Sequence, residues 1–132
     1  MIPASFSLKF FLGGYFGTNQ TIKIENKKIY FVQSDYPFPQ DKLIPVECGE
    51  FSESMYNNLI QTLEKIDFKN WKDQDNPNVL DGTQWKIEYN SPELTKSVYG
   101  SNAYPGSKGM KYSKKFKMLL TCLEEISGKK II

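Results

Sequence analysis

Asp73, Asp75 and Asp81 fall within nine residues, "DQDNPNVLD", and carboxylates at such spacing suggest a calcium loop. In the register of a twelve-residue calcium loop starting at Asp73, however, the fifth position is Pro77. The sixth is Asn78, where glycine is needed for the sharp turn, and the twelfth is Gln84 instead of a bidentate glutamate. These residues read as a solvated loop, and neither a metal nor another cofactor is expected. Cys48, in "VECGEF", precedes a predicted helix, where a thiolate is stabilised. Glu47 and Glu50 flank it and favour the neutral thiol, while Cys122 falls on an apolar stripe with Leu119 and Leu123 and reads as core. The chain has no histidine, so the commonest general base near neutral pH and the commonest zinc ligand are both missing. Gly13-Gly14 is not followed by the helix and Lys-Ser/Thr pair of a phosphate loop. No catalytic residue is expected, and the sequence argues against an enzyme.

The strongest charge pattern is Lys108, Lys111, Lys114, Lys115 and Lys117, all within ten residues at the start of a predicted helix. The macrodipole disfavours cations there, and Glu124 and Glu125 crowd the opposite end. All 17 basic residues are lysine, so composition alone generates solvated lysine faces; the functional reading is a basic surface for an acidic protein partner. Arginine, the fork that reads guanine edges and phosphates, is absent, and sequence-specific nucleic-acid binding is not expected.

The elements that must position these residues are read from periodicity. The 132 residues, 39% hydrophobic and 24% charged, fit one globular domain, 1–132, and 9 Phe, 8 Tyr and 2 Trp must supply much of its core. "SFSLKFFL" (5–12) alternates as a half-buried strand, and 20–25 and 28–34 form a hairpin around Asn26-Lys27. Residues 35–50, with Pro37, Pro39 and Pro45, read as a long connection. Met55, Leu59, Leu63 and Ile66 recur at helical spacing over 52–66, with Ser52 as N-cap and Phe51 stapled against Tyr56. "TQWKIEYN" and "TKSVYGS" form a second hairpin, and Tyr112, Phe116, Leu119, Leu120, Leu123 and Ile126 a second helical stripe, stopped by Gly128. The expected fold class is α+β: an antiparallel sheet of about five strands and two helices, in the order β-β-β-α-β-β-α.

Between the second hairpin and the last helix lies "YGSNAYPGSKGM". Together with "VLDGTQW", it resembles a pattern of small uncharacterised bacterial domains, in which Asp-Gly-Thr-x-Trp is followed by Gly-Ser-Asn-Ala-Tyr-Pro and a helix. The matching residues are Asp81, Gly82, Thr83, Trp85, Gly100, Ser101, Asn102, Ala103, Tyr104 and Pro105, and the resemblance spans roughly residues 68–126. The run "GSKGMKYSK" before the helix is longer than that pattern has. The resemblance implies a fold and no activity. On physical grounds Asp81-Gly82 makes a turn, Gly100 lets a strand end bend or approach other backbone, and Asn102 bonds local backbone. Tyr104 buries a ring, and Pro105 keeps the residue before it extended. The loop reads as a folding device.

The "MIPASFSLKFFLGGYFG" start lacks a basic n-region, and Lys9 interrupts its apolar run, so it does not read as a secretory signal. No stretch is long and apolar enough for a membrane span, and two cysteines suit a reduced, cytoplasmic setting. The leading expectation is a non-catalytic binding protein of the immunity or antitoxin kind, which contacts its partner through the free sheet face or the Lys-rich shoulder around residues 108–117. The alternative is a small-ligand domain, carbohydrate included, using exposed rings such as Trp71, Tyr36 and Phe38.

Overall fold

The structure, a computed structural model, describes residues 1–14, 19–34, 45–75, 83–101, 103–105 and 112–131. Alternating apolar residues set the central strands: β1 (Ser7–Gly14), β2 (Asn19–Glu25), β3 (Lys28–Ser34), β6 (Thr83–Asn90) and β7 (Thr95–Ser101). Two further strands, β4 (Val46–Glu50) and the two-residue β5 (Gln74–Asp75), complete a sheet in the order β4-β3-β2-β1-β6-β7-β5. The other strands pair antiparallel, and β5 adds to β7 in parallel. The class is α+β as expected, but the strand count and order differ: β1 to β4 precede helix α1 (Glu53–Lys65), and β5 to β7 separate it from helix α2 (Lys114–Ser127).

The two added strands have a physical reason for escaping the pattern. In β4 the sequence Val-Glu-Cys-Gly-Glu carries no alternation, because it is an edge strand held by backbone pairing to β3. Its register moves from Ile29↔Gly49 to Tyr30↔Glu47, leaving Cys48 as the extra residue of a bulge. Residues 46–50 are therefore strand and not the tail of a connection. The two residues of β5 are too few for any periodicity to show.

Local chemistry fixes the other boundaries. Asn26 and Lys27 both have positive φ, 52° and 62°, as a two-residue primed turn requires. Ser52 accepts from the Met55 N–H and Ser113 from the Phe116 N–H, each at 3.2 Å, capping the two helices. Phe51 and Tyr56 meet edge-to-face at 6.3 Å across the start of α1. Gly128, with φ 69°, closes α2 in the left-handed conformation.

Both helices pack on one face of the sheet. Leu8, Phe10, Leu12, Ile22, Ile24, Trp85, Ile87 and Val98 meet Leu59, Leu63, Ile66, Phe116, Leu119 and Leu123 in one buried cluster. Rings run through it in contact: Phe51, Phe6, Tyr89, Phe68, Trp71, Trp85, Phe116, Tyr104 and Tyr112, with successive centroids between 4.9 and 5.8 Å. Aromatic pairs in these stacked, tilted and edge-on geometries add to the area they bury.

Candidate functional site

The loop after β7 is built around Trp85. Its indole N–H donates to the Ala103 carbonyl at 2.9 Å, and Gly100 is its register partner on β7. A β-carbon on residue 100 would collide with the indole ring. Gly100 is thus explained by room for a side chain, where the sequence suggested a bend or a backbone approach. Beyond Ala103, Tyr104 drops between Tyr112 and Phe116, its ring 4.9 Å from each, and Pro105 is buried behind it. Burial pushes the Tyr104 phenol up to about 12, with Tyr112 adding to the shift. These contacts hold the segment after β7 against β6 and the start of α2. Of the remaining residues of the motif, Thr83 opens β6 and Ser101 ends β7, while Asp81, Gly82 and Asn102 lie outside the described residues.

Other sequence candidates are dispersed. The Asp73 carboxylate accepts from the Tyr99 backbone N–H at 3.0 Å and so helps to hold β7; Asp75 belongs to β5, and Asp81 is not described. Among the described residues, no group of His, Cys, Asp and Glu is placed to hold a metal ion. Cys48 is exposed on the bulge; Cys122 is buried, and burial pushes its thiol up. Trp71 is only 5% exposed and donates its N–H to the Ile66 carbonyl at 2.9 Å, so it presents no open ring face for a sugar. Tyr36 and Phe38 lie outside the described residues.

Lys114, Lys115 and Lys117 are exposed on α2, while Lys108 and Lys111 are not described. The packing of α1 on α2 brings Lys65 into one groove with Lys114 and Lys117, a convergence that no spacing along the chain announces.

The most extensive candidate surface is the sheet face that α1 and α2 leave uncovered. Register places Val32, Thr21, Phe11, Lys86 and Tyr99 in one row across β3, β2, β1, β6 and β7. The next row reads Glu47, Tyr30, Lys23, Lys9, Glu88 and Ser97. Tyr99 is 50% exposed, Phe11, Val32 and Tyr30 are half-buried, and Lys23 Nζ lies 5.7 Å from the centre of the Tyr30 ring. Ion pairs surround the rings: Lys23–Glu25 at 2.8 Å, Lys86–Glu88 at 3.1 Å and Lys28–Glu47 at 3.1 Å. From the sequence a free sheet face is expected to meet a partner, but none of its residues was singled out, although a signal was present. Phe10-Phe11 breaks the alternation of β1, and Ile29 to Val32 form an unbroken apolar run, so both faces of these strands carry apolar side chains.

No helix among the described residues is long and apolar enough to cross a membrane. No family model matches the chain, and no curated protein matches it.

Proposed function

We propose that the protein acts by binding another protein, in the manner of an immunity or antitoxin protein, and performs no catalysis. The observation that carries this reading is the uncovered sheet face, where Phe11, Val32, Tyr99 and Tyr30 lie in adjacent register rows amid charged residues. A ring-bearing centre within a charged surround is how protein interfaces are arranged, and tyrosine is among the residues that concentrate binding energy. With no arginine in the chain, such rings are the natural anchors. The lysines of α2 would act chiefly on the association rate toward an acidic partner, so association slows with salt while dissociation changes little.

The test is affinity capture from the native cell with three proteins: the unmodified chain, Val32→Lys/Tyr99→Ser, and Lys111→Glu/Lys114→Glu/Lys115→Glu. The unmodified chain should recover a specific protein that the sheet-face variant loses at an unchanged melting temperature. The lysine variant should recover the same protein with slower association. Equal recovery by the sheet-face variant removes that face from the reading, and no specific partner for the unmodified chain overturns protein binding itself.

A further inference from the structure

The sheet carries a depression of about 560 Å³ between β2 and β7. Its charged lining residues are Lys9, Lys23, Glu25, Glu88 and Lys96. All but Lys9 are engaged within the chain: Lys23 pairs with Glu25 at 2.8 Å, Glu88 with Lys86 at 3.1 Å, and Lys96 donates to the Lys69 carbonyl at 3.3 Å. Lys9, exposed on the central strand β1, takes part in no ion pair among the described residues. Resting on the reading of the open sheet face as the protein-binding surface, we propose that the partner sets one carboxylate side chain, of an Asp or a Glu, against Lys9.

The register explains why Lys9 is left over. It lies opposite Lys23 on β2 and Glu88 on β6. Like charges directly across a strand pair repel, and the Lys23 ammonium is turned to Glu25 and to the Tyr30 ring, 5.7 Å from its centre. Glu88 is taken by Lys86 of its own strand. Lys9 thus breaks the cross-strand pairing rule with no compensating contact in the fold, and such a residue is where function is to be sought.

Covering the face turns that leftover charge into a requirement. Phe11 lies two residues from Lys9 along β1, and Tyr30 shares its register row. A partner that covers those rings also strips water from the ammonium group between them. A desolvated charge without a counter-ion costs more than the neutral contacts around it return, so the partner must bring an anion to that point. The same requirement rejects proteins that present a neutral or basic group there. Ser7 and Ser97 line the depression and offer hydroxyl donors to a carboxylate's second oxygen. Glu25 and Glu88 each have a lysine of their own, which offsets their repulsion of the incoming acid.

The test takes the complex that the unmodified full-length chain forms in the native cell and treats it with a water-soluble carbodiimide, which joins a carboxylate to an amine where the two touch. Mass spectrometry of the digest should find Lys9 Nζ joined to one Asp or Glu of the partner. Lys9→Gln should speed dissociation at least about ten-fold, the signature of a lost buried pair, with association little changed. Lys129→Gln removes an equal charge from an exposed position beyond α2 and should leave dissociation as it is. Lys9→Glu should abolish binding, and changing the cross-linked acid of the partner to lysine should restore it. Melting temperatures of the variants report folding, which an exposed, unpaired side chain does not govern. Unchanged dissociation in Lys9→Gln, cross-links confined to other lysines, or no rescue by the partner's reversal would each overturn the proposal. If Val32→Lys/Tyr99→Ser loses the partner while Lys9→Gln keeps it, this inference alone falls; if no specific partner is recovered, protein binding falls with it.

Discussion

Trp85 and Gly100 face each other across the β6–β7 ladder, and the indole fills the space where a side chain on residue 100 would begin. The same indole donates to the Ala103 carbonyl, so one residue both demands a glycine opposite and secures the chain three positions further on.

Gly100→Ala should therefore destabilise by about 1–3 kcal/mol, the usual result of forcing atoms into a packed site. Gly49→Ala is the control, because a β-carbon there meets only Ile29 Cδ1 at 3.9 Å. Urea unfolding followed by tryptophan fluorescence should separate the two, with Gly49→Ala close to the unmodified chain.

Core truncation should be costly in proportion to burial. Leu119 and Leu59 are buried among rings and aliphatic chains, and Leu119→Ala or Leu59→Ala should each cost about 2–5 kcal/mol. Trp71→Phe should cost about 1–3 kcal/mol although it keeps a ring, because the Ile66 carbonyl then loses its buried donor. Denaturant midpoints at fixed m-value measure all three.

Alkaline pH should unfold the protein. The phenols of Tyr56, Tyr89, Tyr104 and Tyr112 are all raised, chiefly by burial, that of Tyr104 to about 12. A phenol is neutral when protonated, so a raised folded value means that the folded state holds its proton more tightly than the unfolded chain. That contribution is fully present below the ordinary tyrosine value of about 10 and is lost as pH rises towards 12. Urea midpoints should fall across that window, with tyrosinate absorbance appearing alongside unfolding. The chain has no histidine to titrate near neutrality, so midpoints between about pH 6 and 8 should stay level.

The two thiols should differ in reactivity. Cys48 is exposed on the β4 bulge, whereas Cys122 is buried, accepts from the Asn58 amide at 3.7 Å and has its thiol pushed up by burial. A disulfide reagent should label one thiol rapidly in the native state and the second only at the rate of opening or on denaturation. Rapid labelling of both would contradict the packing of α2.

Much of the fold was legible because its side chains repeat. In β6, Trp85, Ile87 and Tyr89 are buried while Gln84, Lys86 and Glu88 are exposed, the alternation that the sequence displays. The two helices show their stripes and caps just as openly. What stayed hidden depends on partners that are distant along the chain. The β4 strand exists because the backbone of β3 is available, the register of five strands gathers Val32, Phe11 and Tyr99, and Lys65 meets Lys114 and Lys117 only once α1 lies on α2. Asp73 read as part of a solvated loop because a carboxylate's bond to a backbone N–H, here that of Tyr99, leaves no trace in spacing.

The placement of β1 beside β6 has a consequence for synthesis on the ribosome. Strands β1 to β4 and α1 are contiguous in the chain and can pair as they emerge, but the second edge of β1 waits for β6, whose nearest register pair joins Gly14 to Thr83. At ordinary translation rates that interval lasts on the order of several seconds, during which Leu8, Phe10 and Leu12 flank an unpaired backbone. The nascent chain is thus most vulnerable to aggregation, and most in need of a chaperone, just before its second hairpin is made.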